Sequence, residues 1–401
     1  MKTTKIQAER DPNPSNSWLT RSDPTLRGLR TKYSITHNPS YAQPGEEVYI
    51  NLGTLGSTSP VDPNSICLKF SVAKSDPEGM FFNNLSTALV QRLVVSLGGE
   101  TIYDNSWEGL LKTYTDMWLS QRSREDLTKY GLKPVDLRNP SKTSSKETRL
   151  LNKIFNKTKI PIGKILEDQG MICPNVLAEN LSFTITLAKS EHVLSKGVYS
   201  LSGMEIEYDV NSTGLQLTKA ITNEYSKGKL LPFKGVSWLR RSVWNKDRML
   251  VNENINISRA CLNQVIMLFT RETRSGSEEF VFPGIENVNV TIRGVPGSVY
   301  NAGIKTVDLL TEARKTFDGH MNPKDFFCGD KFALVIDLRC YFSNDLYGNG
   351  RNLSNGDSNI TLEIQRSKDL FNLNEDLKCH IFVSYDSLLS LTTQGLKSLV
   401  G

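Results

Sequence analysis

The chain of 401 residues lacks several signals that identify whole classes of protein. No uninterrupted apolar run approaches the roughly 18 residues that a membrane-spanning helix needs, so a helical membrane protein is excluded. The first residues, Met1–Lys5, lead into polar sequence without an apolar core, so we expect no secretory signal.

Motifs for metal binding and redox chemistry are also missing. The six cysteines are scattered without a CxxC pair, which argues against a zinc ribbon or a redox site and fits reduced thiols. The four histidines are dispersed as well, so no metal site is predicted. The positions concerned are Cys67, Cys173, Cys261, Cys328, Cys340, Cys379, His37, His192, His320 and His380.

Signatures of catalysis are absent too, including GxSxG, HExxH, a Walker loop and GxGxxG. Glu205 and Glu207 are interpreted as solvated carboxylates on the outward face of a strand, rather than as a glycosidase pair. Asp337 is interpreted as the polar side of an alternating strand, with a buried structural carboxylate as the alternative. His380, on the last predicted strand, is interpreted as structural. We therefore predict no enzyme, and no catalytic, cofactor-binding or metal-binding residue.

The charge is modest in sum but uneven along the chain, with a formal net charge of +5. The densest basic segment, 121–164, contains few aromatic residues on which bases could stack. We interpret this segment as a solvated surface loop. The alternative is a surface that meets an acidic partner, either a protein or packaged nucleic acid.

What the sequence does contain is an internal repeat. A strand, a glycine turn and a helix follow one another at 93–111 and again at 288–310, and the strands at 181–209 recur at 360–386. The spacing between the copies shortens by about 20 residues after the helix, which predicts an insertion in the first copy. We expect the two halves to superpose strand for strand.

The pattern of elements predicts the fold class. Each half contains about eight short strands with occasional helices between them, which excludes a doubly wound α/β sheet. The prediction is an all-β fold with inserted helices, in the form of a tandem double jelly roll of two eight-stranded β-sandwiches side by side. The earliest strands, at Lys32–Ile35 and Val48–Leu52, are expected to pair with each other.

Composition divides the chain into successive parts, and 121–175 and 343–358 are interpreted as long polar surface loops. The parts are an N-terminal arm (1–28), a first jelly roll (29–211) with an insertion at about 121–175, a connection (212–231), a second jelly roll (232–390) and a C-terminal tail (391–401).

The order of these elements resembles that of double jelly-roll major capsid proteins, the hexon-like proteins of the Polinton, adintovirus and virophage lineage. The sequence segments that carry this resemblance include Leu93–Tyr103, Trp107–Leu119, Phe280–Gly294 and Leu377–Asp386. The resemblance implies a structural virion protein, made and assembled inside the host cell, that forms pseudo-hexameric homotrimers tiling an icosahedral capsid. It also implies neighbouring capsomers, penton proteins and minor capsid proteins as partners, and weak electrostatic contact with packaged DNA.

Two other functions remain open at this point. The first is a tandem jelly-roll carbohydrate-binding protein, similar to a lectin, for which clustered exposed aromatic residues would speak. Trp238 and Trp244 lie close together in the sequence and are the residues that favour it. The second is a jelly-roll hydrolase, which the missing pair of inward carboxylates disfavours.

Overall fold

A computed structural model gives the positions of most of the chain. The described residues are 29–52, 61–81, 88–97, 99–120, 146–147, 150, 157–163, 166, 181–212, 223, 226–272, 279–292, 294–296, 300, 302–317, 319–340, 348–354, 359–370, 374–392 and 395–400. The predicted N-terminal arm (1–28) and most of the basic segment 121–164 lie outside these residues.

The first half forms two antiparallel sheets. Sheet 1 has the strand order β1-β9-β4-β7, with β2 paired to β9, and sheet 2 has the order β3-β8-β5-β6. The strands are β1 (Leu29–Thr36), β2 (Tyr41–Ala42), β3 (Glu47–Asn51), β4 (Val61–Lys74), β5 (Val90–Leu97), β6 (Glu100–Ser106), β7 (Thr158–Pro161), β8 (Leu181–Leu187) and β9 (Tyr199–Ser212).

The second half repeats this arrangement. Sheet 3 has the order β10-β18-β12-β16, with β19 paired to β18, and sheet 4 has the order β11-β17-β13-β14, with β15 paired to β13. The strands are β10 (Lys229–Trp244), β11 (Leu250–Asn256), β12 (Leu262–Arg271), β13 (Ile285–Ile292), β14 (Val295–Pro296), β15 (Ile304–Lys305), β16 (Ala333–Asp337), β17 (Asn359–Arg366), β18 (Leu377–Thr392) and β19 (Gly395–Val400).

The helices are short and lie between strands. They are α1 (Glu108–Asp116), α2 (Ser190–Val193), a 3₁₀ turn (Thr306–Asp308), α3 (Leu309–Arg314) and α4 (Pro323–Cys328). Pro323 occupies the first turn of α4, where a missing N–H costs nothing, and the Asn322 side chain accepts a hydrogen bond from the Asp325 N–H as its N-cap.

The strand order confirms the internal repeat and the double jelly roll. In each half the first and last long strands are neighbours in one sheet, and the facing sheet has four strands in the first half and five in the second. The extra length of the first copy lies between the helix and the next strand. Segment 117–157 separates α1 from β7, whereas the shorter segment 315–332 separates α3 from β16. The predicted insertion at 121–175 therefore also contains β7, an integral strand of sheet 1.

Alternation explains which face of each strand is buried. In β8 every second side chain, from Leu181 to Leu187, is buried, as expected for a strand with one core-facing side. Strands β12 and β16 differ, because nearly all their side chains are buried on both faces. Sheet 3 is therefore covered on its outer face as well as on its core face.

One expectation about strand pairing is wrong. Strands β1 and β3 do not pair with each other. β1 pairs with β9 and β3 with β8, because the jelly roll places the early strands in opposite sheets. The described part of the predicted surface loop 343–358, residues 348–354, includes exposed residues but is anchored to the second sandwich. Arg351 exchanges two backbone hydrogen bonds with Leu262 at the start of β12, and Leu353 is buried.

Candidate assembly interface between the two sandwiches

Helix α1 joins the two sandwiches, and its sequence explains why it forms where it does. Glu108 in its first turn complements the helix dipole, and apolar residues recur at helical spacing. Trp107, immediately before the helix, has φ of 58°, which turns the chain sharply out of β6. Because most of the helix is buried, its apolar stripe must serve two neighbours.

One side of this segment packs on aromatic residues of the second half. The Tyr114 ring lies edge-on to Phe280 and Phe317, with ring centroids 5.1 and 5.0 Å apart. Trp118 stacks on Phe317 at 5.5 Å with an interplanar angle of 21°. All four side chains are buried. Aromatic pairs of this geometry add about 0.5–1.5 kcal/mol each to the free energy gained by burial.

Backbone contacts fix the distance between the sandwiches at the same place. The Tyr114 hydroxyl donates to the Lys331 carbonyl oxygen at 3.1 Å, and the His320 N–H donates to the Trp118 carbonyl oxygen at 3.0 Å. Gly319 has φ of +140°, and a Cβ atom there would lie 1.8 Å from that Trp118 oxygen. Only glycine fits so close an approach.

A polar chain of contacts locks β6 against β10. The buried Asn105 accepts a hydrogen bond from the Trp238 N–H at 2.7 Å, next to a bulge in β10 that disturbs its pairing with β18. The Asn105 amide and the Tyr103 hydroxyl both donate to Glu108 at 2.6 Å. Burial and the neighbouring Glu108 carboxylate raise the pKa of Tyr103 well above its usual value, so its hydroxyl stays a donor.

Trp107 completes the joint. Its ring centroid lies 4.8 Å from that of His380 on β18 and 5.3 Å from that of His192 in the first half. His380 is buried, in keeping with the structural interpretation of this residue. Trp107 thus covers part of the outer face of sheet 3.

That covered face of sheet 3 is apolar, whereas its counterpart on sheet 1 is ionic. On sheet 3, Ile266 pairs with both Phe382 and Val335, and all three are buried. Strands β4, β9 and β7 hold the same places in sheet 1 as β12, β18 and β16 in sheet 3. There Lys69 pairs with both Glu205 and Lys159.

We call this set of charged side chains the ionic face. Lys69 Nζ lies 2.7 Å from Glu207 Oε1 and 3.3 Å from Glu205 Oε2. Three further lysines complete the network. Lys157 pairs with Glu205, while Lys159 and Lys32 pair with Glu207. The ionic face therefore consists of Lys32, Lys69, Lys157, Lys159, Glu205 and Glu207.

The network changes the titration of both carboxyl groups. The hydrogen bond from Lys157 lowers the pKa of Glu205 to about 2. Burial acts to raise the pKa of Glu207, but hydrogen bonds from Lys159, Lys69 and Lys32 outweigh it and lower that pKa to about 2. The interpretation as a solvated carboxylate is wrong for Glu207, which is buried, whereas Glu205 stays partly exposed and is paired with lysines.

The interpretation of Asp337 as the polar side of an alternating strand is also wrong. The alternative, a buried structural carboxylate, is the one the structure shows. Its side chain is 1% exposed and accepts from Arg339 Nε at 2.9 Å and Nη2 at 2.8 Å. Its N–H donates to the Tyr300 hydroxyl at 3.0 Å. Arg339 Nη2 also donates to the Lys315 carbonyl oxygen at 3.1 Å, which ties the end of β16 to the end of α3.

The remaining residues considered for chemistry are dispersed. Among the described residues no group of His, Cys, Asp or Glu side chains could hold a metal ion, and no helix is long and apolar enough to cross a membrane. Trp244 is buried in the second half and donates its Nε1–H to Glu253 at 2.8 Å, while Trp238 is partly buried in the same core. The two tryptophans do not form an exposed pair.

No family model and no curated protein matches the sequence. Solved structures do match the fold. PBCV-1 VP54, a crystal structure fitted into a reconstruction of the virophage Sputnik, superposes with a TM-score of 0.65 at 11% identity, covering 96% of this chain and 100% of that one. The Faustovirus major capsid protein gives 0.59 at 8% identity, with 93% and 92% covered. The mavirus major capsid protein gives 0.56 at 10% identity, with 92% and 90% covered.

These likenesses span nearly the whole of each chain. At identities this low they establish the fold alone, which is the tandem double jelly roll predicted from the sequence.

Proposed function

We propose that the protein is a structural major capsid protein, located in the virion capsid, and that it forms homotrimeric, pseudo-hexameric capsomers that tile an icosahedral shell. The observation that carries this proposal is the joint between the sandwiches, in which aromatic and backbone contacts fix two copies of one fold side by side. End-to-end similarity to the major capsid proteins of Faustovirus and mavirus supports it.

The geometry of the joint favours a closed ring. Its two sides are different surfaces: residues of β6 and α1 on one sandwich, and β10, β18 and Phe317 on the other. Such a head-to-tail contact cannot satisfy itself in a two-fold pair, and repetition of it generates a ring or a filament. Three chains joined in this way would place six sandwiches in a ring.

The competing functions receive no support from the structure. The carbohydrate-binding alternative depended on clustered aromatic residues, and Trp244 is buried in the core. The carboxylates considered for hydrolysis, Glu205 and Glu207, are each bound to lysines. A structural protein that is not an enzyme fits these residues best. Contacts with penton and minor capsid proteins, and weak contact of the basic segment 121–164 with DNA, belong to the same proposal, as does the Polinton, adintovirus and virophage lineage.

Size-exclusion chromatography with light scattering, followed by negative-stain microscopy, tests the proposal on the purified full chain. We expect a stable particle of three chains with a hexagonal outline. A monomer at all concentrations, or a monomer that binds glycans on an array, would contradict it.

A further inference from the structure

The internal repeat makes the outer face of sheet 1 equivalent to the outer face of sheet 3, which another part of the same chain covers. In the second sandwich, Trp107 of the first sandwich covers sheet 3 beside His380. The equivalent surface of sheet 1 is the ionic face. Glu205 and Lys69 at its centre keep 27% and 23% of their side-chain area exposed, whereas their counterparts Phe382 and Ile266 are buried.

The repeat also identifies the surface that would cover it. In the first sandwich, the residues immediately before α1 make the joint. The corresponding residues before α3 are Lys305–Asp308, and with the adjacent Glu286 we call them the tip of the second sandwich. Thr306 donates to the backbone oxygens of Ile285 and Glu286, which ties the tip to β13. Val307 at its centre is 81% exposed, which is the largest exposure among the large hydrophobic residues in the described chain.

The charges of the two surfaces are complementary. The ionic face carries four lysines against two glutamates, an excess of positive charge. The tip carries two exposed carboxylates, Glu286 and Asp308, against one lysine, Lys305. Complementary potentials of this kind guide the docking of two surfaces and disfavour wrong partners.

We propose that the ionic face of one chain is the docking surface for the tip of a second copy of the same chain. The inference rests on the proposed function, because it names the surfaces that would join the chains of the trimer. The contact would repeat the geometry of the joint within the chain, but with ion pairs around Val307 in place of buried aromatic rings.

Salt dependence follows from this composition. The screening length falls from about 10 Å at 0.1 M salt to about 3 Å at 1 M, and exposed charges lose much of their attraction over that range. The joint within the chain depends on buried aromatic rings and should not respond in this way. Salt would therefore dissociate the trimer without unfolding its chains.

Charge reversal at the tip is the direct test. The variant E286K/D308K replaces both exposed carboxylates, and E100K/E363K, which changes two exposed glutamates elsewhere, is the matched control. Light scattering over a dilution series at about 0.1 M and 1 M NaCl measures the concentration of half-dissociation. We expect that concentration to rise about tenfold or more in the tip variant and to stay at the wild-type value in the control.

A second pair of variants tests the centre of the tip against another exposed valine. Val307→Arg places a bulky cation against the ionic face. Val243→Arg is the matched control, because it makes the same substitution at a valine on β10 that is 65% exposed. We expect only the first to weaken the trimer. If the wild type forms trimers and neither tip variant alters them, the docking surface is assigned wrongly and the proposed function stands. If the wild type is monomeric throughout, the proposed function fails and the inference fails with it.

Discussion

Replacement of Gly319 by alanine tests how closely the two sandwiches are held together. A Cβ atom at this position would lie 1.8 Å from the Trp118 carbonyl oxygen, and that oxygen already accepts a hydrogen bond from the His320 N–H. The new methyl group meets backbone on the other sandwich, so no side chain can rotate away to make room. We expect the joint to open locally and part of the Trp118 stack on Phe317 to be lost.

The cost has two parts. A residue with a side chain at φ of +140° is strained by about 1–3 kcal/mol. Forcing an extra carbon into a packed contact adds about 1–3 kcal/mol. Gly45→Ala is the matched control, because Gly45 has φ of +85° but nothing within 4 Å of its Cβ position. The control should lose stability only through backbone strain. The difference in the free energy of unfolding between the two variants, about 1–3 kcal/mol, therefore measures the contact between the sandwiches.

Urea unfolding followed by tryptophan fluorescence measures both variants, since Trp118 lies at the contact. The free energy of unfolding, extrapolated to water, should decrease more for Gly319→Ala than for Gly45→Ala. Equal losses in the two variants would show that the sandwiches are not held at this distance in solution.

Two further predictions concern buried charge. The lowered pKa of Glu207 stabilises the fold at neutral pH, and this stabilisation is lost as the pH falls from 4.5 to about 2. Lys69→Met removes one of the hydrogen bonds that lower this pKa, so the free energy of unfolding should fall less steeply with pH in the variant. Thermal melts across this pH range measure the slope, and a slope equal to that of the wild type would contradict the prediction. Asp337→Ala should cost about 3–5 kcal/mol, because it removes the carboxylate that neutralises the buried Arg339. Asp104→Ala, in an exposed ion pair, should cost less than about 1 kcal/mol in the same urea assay, and similar losses in the two variants would refute the distinction.

The fold could be predicted because the alternation of polar and apolar residues, and the order of the elements, can be read from short segments of the sequence. Each residue of β8 shows by its polarity which face it occupies, and the strand recurs as β17 in the second half. The pairing of strands cannot be read from short segments in this way. β1 and β3 are adjacent in sequence, yet each pairs with a strand that follows much later, because the jelly roll separates successive strands into opposite sheets.

The same limit explains the misinterpreted carboxylates. Alternation correctly places Glu205 and Glu207 on the outer face of β9, but it does not reveal that β4 and β7 bring lysines alongside them. Register between distant strands decides that. For Asp337 a signal was present, since Arg339 lies two residues further along the same strand face and can pair with it locally.

The contrast between the two equivalent faces follows from how each is covered. Trp107 and sheet 3 belong to one chain, so their contact forms at a high effective concentration during folding, and an apolar face is never left exposed. Under the proposed docking, the ionic face is exposed to water until a second copy binds, and an apolar patch there would promote nonspecific association. Duplication of the fold therefore divides the work between the copies. Lys69 and Glu205 stand where Ile266 and Phe382 stand in the other sandwich, and the proposed docking accounts for the difference, because under it only the first pair is covered by a second molecule.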